Sequence, residues 1–414
     1  MLNLQKIYNF LWIIMAISMP LFSSSYFRID FDAVSVPLPL IILSIILFYI
    51  ILCTFANRKN SSNNINITYM FICTSIFILS QITSLVFNYP FGSNKELLKL
   101  IIGLVAFYFV IKYFNNNRNI HQKFIEYTLW SSTILYAYFI YQSIIIGNSF
   151  MAADLENMSN GANKNQMGWY SAALIPFAVA FSMKNKFKFI SYIPVIILIV
   201  SLIYISSRSS IISGGIGSIV VIFYLIRYSN YKNQIISNVV IITLILVVSL
   251  PALFFNRFDT DYIKNRMQWL ISPNQVEITS GGKLDTINQR TRRYTSGLVQ
   301  FQSNPIYGVG ISQHPCHSDY FTILSEIGIF GFISFISLIL SIFYKIYRSK
   351  NYIRSAQDNW IISGSIGSFI SVIISSLFID TYTSPHFWVI IGLIIAFTAS
   401  YKIRLKKNRN IYNI

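Results

Sequence analysis

The residues of this chain best suited to chemistry lie in one short stretch, His314-Pro315-Cys316-His317-Ser318-Asp319-Tyr320, followed by Glu326. An imidazole changes charge near neutral pH, so a histidine at the mouth of an apolar helix suits a general base or acid, and His317 is the candidate. Two histidines, a cysteine and an aspartate so close together raise zinc, but their spacing matches no standard site and no metal is expected. Ser318 or Asp319 serves more simply as the N-cap of the helix that follows. Glu326 comes nine positions after His317, about 180° round a helix, and is expected to pair with another helix rather than with that imidazole. His314, Asp319 and Glu326 are second-rank candidates, as are Asp380 and His386 beside a later turn.

Upstream runs Gln289-Arg290-Thr291-Arg292-Arg293-Tyr294. Guanidinium forks pair bidentately with phosphate oxygens, so the chemistry these arginines offer is the holding of a phosphate-bearing group. On a helix, Arg290 lies about 60° from an apolar stripe of Ile287, Tyr294 and Leu298. Arg292 points away and is expected to be solvated, and Arg293 is intermediate, a second-rank candidate. Arg208 is the other notable cation, in Ser206-Ser207-Arg208-Ser209-Ser210 between two apolar blocks. An arginine at mid-bilayer costs about 2.5–3.5 kcal/mol, so one retained near that depth faces a cavity or an anionic partner. A snorkelling turn residue is the plainer alternative.

The elements that must position these residues are apolar helices. Of 414 residues 54% are hydrophobic and only 11% charged, and mean hydropathy is +0.56. Soluble domains carry about 25% charged residues, so no water-exposed surface follows from this composition. Apolar blocks fall at 7–27, 36–56, 67–88, 96–114, 124–147, 165–183, 189–206, 210–227, 235–255, 318–344, 359–380 and 386–401. Each is close to the ~20 residues that cross a bilayer as helix. The alternation of a membrane barrel is missing. The expected fold is therefore all-α, a polytopic bundle of about 12 spans forming a single transmembrane domain over 1–414.

A net charge of +18 would suggest nucleic acid in a soluble protein. Here about 20 of the 32 basic residues sit on short segments of one side, from Lys6 to the tail Lys402–Arg409, which is the positive-inside pattern. No nucleic-acid partner is expected, and both termini are expected in the cytoplasm. The first block is read as an uncleaved span. Three cysteines make no disulfide framework.

One connection stands apart, a long external loop over 256–317. Trp269, Tyr262, Tyr294, Phe301 and Tyr307 give it residues that pack, and an amphipathic helix is predicted at about 286–302. Asn304-Pro305 ends it, and Gly308 and Gly310 turn the chain back. Gly308-Val309-Gly310 lacks the third glycine of a dinucleotide fingerprint. Ser210, Gly214 and Gly217, Ser363, Gly367 and Ser371, and Gly328 with Gly331 are spaced for close helix packing.

Together these stretches resemble the superfamily of O-antigen ligases and O-antigen polymerases, bacterial inner-membrane glycosyltransferases. Ser206-Ser207-Arg208 is similar to the family's intramembrane arginine motif. Arg290, Tyr294-Thr295-Ser296-Gly297-Leu298 and Asn304-Pro305-Ile306-Tyr307-Gly308-Val309-Gly310 resemble its arginine, amphipathic helix and Asn-Pro-x-x-Gly-x-Gly run. His317-Ser318-Asp319-Tyr320-Phe321 with Glu326-Ile327-Gly328 resembles its His-Asn-x-Tyr-Leu…Glu-x-Gly signature, with Ser318 where the family commonly has Asn. Asn163-Lys164-Asn165 is similar to an asparagine pair before a middle span. The resemblance implies a GT-C-like, metal-independent, inverting enzyme without cofactor, acting at the periplasmic face. Its donor would be a glycan on undecaprenyl diphosphate. On that resemblance Arg208 and Arg290 hold the diphosphate, and His317 is the base on an acceptor hydroxyl.

The first functional expectation is an O-antigen polymerase, with the next lipid-linked repeat unit as acceptor and a chain-length regulator among its partners. The second is the ligase, with lipid A-core as acceptor. A flippase for lipid-linked sugars competes from another class. Transporters carry midplane charges on broken helices of an internal repeat, whereas here no repeat is visible and the candidate charges gather at one face.

Overall fold

A computed structural model describes residues 2–23, 28–31, 34–37, 41–46, 48, 68–88, 94–116, 118–146, 164–184, 189–205, 207–228, 232–255, 285–349 and 356–396. Helices stand at the predicted apolar blocks wherever these residues reach. They are α1 (Leu2–Ser18), α2 (Thr68–Phe87), α3 (Asn94–Asn116), α4 (Arg118–Ile146), α5 (Lys164–Ser182), α6 (Ile193–Ile205), α7 (Arg208–Tyr228) and α8 (Lys232–Phe255). Further along come α9 (Asp285–Ser303), α10 (Asp319–Ser349) and α11 (Ala356–Ser376), then α12 (Pro385–Ala396). Asn163, Trp269, Tyr262 and the basic tail lie outside the described residues.

Helices are what these sequences must form in lipid, because a helix satisfies its backbone donors and acceptors within one segment. Among the described residues three helices are long and apolar enough to cross a membrane: Arg208–Tyr228, Asp319–Tyr347 and Asn359–Ser376. Shorter apolar helices include Ile72–Phe87, Leu97–Ile111 and Pro385–Ala396. This is a helical membrane protein. One element departs from the all-α expectation. β1 (Arg28–Phe31) and β2 (Val34–Pro37) form an antiparallel ribbon with Arg28 opposite Pro37 and Phe31 opposite Val34. Ile29, Phe31, Val34 and Val36 alternate with other residues over only four positions per strand. Apolar blocks on either side hide so short a pattern.

The core of the bundle is the crossing of α5, α7 and α11, and small residues explain it. A Cβ on Gly217 would fall 2.6 Å from the Gly367 carbonyl oxygen, and one on Gly367 would fall 2.5 Å from that of Gly217. Pro176, inside α5, packs against both glycines. Above the crossing, Ser371 Oγ donates to the Ala172 carbonyl at 2.7 Å and Ser375 Oγ to Ser213 Oγ at 2.7 Å. Backbones this close gain dispersion contacts that larger side chains would forbid. Gly367→Leu is therefore expected to destabilise the bundle by about 3 kcal/mol, the upper part of the overpacking range. A detergent-solubilised sample should show it as a lowered melting temperature.

Candidate active site

The end of the bundle where α7 begins and α11 stops is also where α10 and α12 begin. Ser318 Oγ, just before α10, donates to the Ser376 carbonyl at 3.4 Å. Arg208 opens α7 and is partly buried. It lies five residues, about 7.5 Å of helix rise, beyond Ser213, toward the same end.

A break in α10 builds this end. Gly328 has φ 80° and ψ −170°, so the helix is interrupted two and a half turns after it starts. The break frees backbone groups, and the segment after α9 takes them up. Val309 N donates to Ser325 O at 2.9 Å, Gly310 N to Glu326 O at 3.1 Å and Ile329 N to Pro305 O at 2.9 Å. From α2, Ser84 Oγ adds a bond to Glu326 O at 2.6 Å, and Asn88 Nδ2 reaches Gly308 O at 3.2 Å. Gly308 and Gly310 have φ of 69° and 106°, the turn expected of them. Gly328 was expected to serve helix packing; its backbone instead lies against Ile306 and Pro305, where a Cβ would fall 2.3 Å from the Ile306 carbonyl oxygen.

The three carboxylates fix the loops on either side. Asp319 accepts from Thr381 N at 2.5 Å, Thr381 Oγ1 at 2.6 Å and Tyr382 N at 3.0 Å. Glu326 accepts from Tyr382 Oη at 3.0 Å and His314 N at 3.0 Å, so it pairs with other segments and not with His317. Asp380 accepts from His317 N at 2.8 Å and Thr322 Oγ1 at 2.5 Å. The start of α10 is thus tied to the α11–α12 turn by side-chain bonds in both directions. This corrects the expectation of a local cap, because the Ser318 and Asp319 side chains are both turned to the other segment.

His317 is the product of this scaffolding. It has φ 58°, an uncommon conformation for a residue with a side chain, and the Asp380 bond to its N–H helps hold it there. Its Nδ1 stands 3.7 Å from Asp380 Oδ2, and its ring is 43% exposed. On the other edge Arg293 Nη1 donates to His317 Nε2. A guanidinium is only a donor, so Nε2 carries its lone pair here and Nδ1 the proton. Burial, then the Arg293 and Arg290 cations, push the imidazole pKa below its ordinary 6.5 against the pull of Asp380. These influences favour the neutral ring. Burial pushes the Asp380 carboxyl up, opposed by the Thr322 and His317 bonds.

Helix α9 brings the arginines, in a register different from the expected one. Tyr294 stacks on Phe321 with centroids 4.7 Å apart. Gly297 is buried, and a Cβ there would fall 2.6 Å from Cys316 Sγ. Leu298, assigned to the inward stripe, is 40% exposed. The inward face therefore runs through Arg290, Arg293, Tyr294 and Gly297. Arg290 and Arg293 are half-buried, and Arg292 is exposed as expected. Arg293 is the arginine that meets His317, and the signal the sequence lacked for this register is the docking of Gly297 on Cys316.

Cys316 is fully buried, and burial pushes its thiol up to about 11, which leaves it a donor to the His314 carbonyl rather than a nucleophile. His314 contributes its N–H to Glu326. His386 is buried against Trp169 and Tyr170. Asn165 lies in the first turn of α5.

A histidine fixed at its backbone and approached by two arginines thus stands at one end of an apolar helical bundle. Over residues 193–336 the chain matches the family model described as O-antigen ligase, which supports its resemblance to the O-antigen ligase and polymerase superfamily. The match takes in Arg208, Arg290, Arg293, His317 and Glu326, and Asp380 lies beyond it. No curated protein matches the chain.

Proposed function

We propose that the protein is a glycosyltransferase of the O-antigen polymerase type, moving a glycan from undecaprenyl diphosphate to the next lipid-linked repeat unit. The observation that carries this reading is the His317 imidazole, neutral, held at its backbone by Asp380 and within reach of two arginines. His317 Nε2 takes the proton of the acceptor hydroxyl as that oxygen attacks the anomeric carbon. The bond from that carbon to the diphosphate oxygen breaks, and its electron pair leaves on the diphosphate. Arg290 and Arg208 stabilise the charge that develops there. A single displacement of this kind inverts the anomeric centre and uses neither metal nor cofactor. About twelve spans, with both termini cytoplasmic, put the site at the periplasmic face of the inner membrane, and the polyprenyl tail enters from the lipid.

The family description favours a second reading, transfer of the glycan to lipid A-core. Purified protein in liposomes separates the two. With lipid-linked repeat units alone, a polymerase yields longer glycans and free undecaprenyl diphosphate, and a ligase requires added lipid A-core. Retention of every glycan on its own lipid, with movement between leaflets, would sink both and leave a transporter. In this assay Arg290→Ala should lower transfer by about 10²–10³-fold, as for other lost oxyanion donors. Arg208→Lys keeps the charge and loses the fork, so undiminished activity would refute bidentate diphosphate binding.

A further inference from the structure

The arginine nearest the base does more than add positive charge. Arg293 Nη1 donates to His317 Nε2, the atom a general base must use. Nδ1 is turned toward Asp380 and carries the proton, so the imidazole has no second lone pair to offer. Arg293 is half-buried, one turn along α9 from Arg290 and on the same inward face. The guanidinium has five N–H donors, and a diphosphate oxygen is a stronger acceptor for them than a neutral imidazole nitrogen.

We propose that Arg293 is a donor-sensing latch: it occupies the lone pair of His317 in the empty site and releases it when a diphosphate draws the guanidinium away. The inference rests on the reading of His317 as base and of a diphosphate as ligand. Release is an exchange of hydrogen bonds. The Arg293 N–H passes from Nε2 to a phosphate oxygen, and Nε2 becomes free to accept from the acceptor hydroxyl. The base is thereby silent until a donor is seated, which disfavours activation of an acceptor with nothing to attack. Arg293 is in this sense a positioning residue, acting through His317.

The test measures access to Nε2 directly. Full-length protein in nanodiscs is treated with diethyl pyrocarbonate at pH 8, and the modification rate of His317 is followed by peptide mass spectrometry. At that pH the imidazole is neutral, so the rate reports the lone pair and not protonation. Arg293→Gln should speed modification about five-fold or more, because a charge-assisted bond no longer covers Nε2. Arg292→Gln removes the same charge from the exposed face and should leave the rate unchanged. Undecaprenyl diphosphate added to the wild type should raise its rate toward that of Arg293→Gln, and should have no such effect on the variant.

Equal rates in wild type and Arg293→Gln overturn the latch, as does a wild-type rate that diphosphate leaves unchanged or lowers. Glycan transfer in liposomes is scored separately. Transfer that proceeds while Arg293→Gln leaves His317 no more reactive preserves the functional reading and removes the latch. Unmasking of His317 by diphosphate, without any transfer, preserves the latch and removes the glycosyltransferase.

Discussion

Replacing His317 is expected to lower glycan transfer by about 10²–10⁴-fold, the range for loss of a general base. His317→Ala is the direct test, and His317→Asn a gentler one, because asparagine tolerates φ near 58° and its amide cannot take a proton at neutral pH. Both proteins should keep the melting behaviour of the wild type in detergent. The pH profile supplies a second readout. The base works only when neutral, so activity falls as pH drops through the imidazole pKa. That pKa is held below 6.5, hence the acid limb lies below pH 6.5 and the rate is level through neutrality. Asp380→Asn preserves an acceptor for the His317 N–H and removes the negative charge that pulls the imidazole pKa up. Its acid limb should move lower still. Full transfer by folded His317→Asn would dismiss the base.

Gly328→Ala is expected to be strongly destabilising for so small a change. Its φ and ψ of 80° and −170° belong to a region open to glycine alone, and a Cβ would fall 2.3 Å from one backbone carbonyl oxygen and 2.9 Å from another. Strain of this kind costs about 1–3 kcal/mol before the clash is counted. The clash is with backbone that carries the ladder from Pro305 to Gly310, so relief of one breaks the other. Against a typical total of about 5–15 kcal/mol, the loss should appear as a large fall in melting temperature together with loss of transfer. Gly215→Ala provides the comparison, because nothing lies within 4 Å of a Cβ there. A melting temperature unchanged in Gly328→Ala would show that the ladder does not hold the site.

Much of this architecture is legible in the residues. Apolar blocks mark the helices, the Gly308 and Gly310 turn follows from its glycines, and α9 ends within one residue of its predicted limits at Asp285 and Ser303. His317 was visible as a histidine at the head of an apolar helix. The features that escaped are those set by residues distant in sequence. Asp380 is 63 positions from His317, and no periodicity joins an acid in one turn to a backbone N–H in another. The inward face of α9 is set by Gly297 against Cys316, and hydrophobicity alone chose Leu298. Gly328 resembles a packing glycine because its neighbours are helical on both sides. The turn segment from 305 to 310, bonded to the backbone around Gly328, explains why the helix stops there.

The interruption at Gly328 has a mechanical consequence. Residues 329–347 alone rise about 28 Å, close to the ~30 Å of hydrocarbon in a bilayer. The nine residues from Asp319 to Ile327, which carry the buried acids Asp319 and Glu326, are therefore not needed to cross the lipid. They are clamped sideways to the ends of α2 and α11, while the longer rod below meets the acyl chains. A thicker or thinner bilayer tilts that rod, and the joint at Gly328 takes up the angle. The groups of the proposed site thus rest on a short segment bonded to its neighbours, and the lipid is crossed by the rod beyond it.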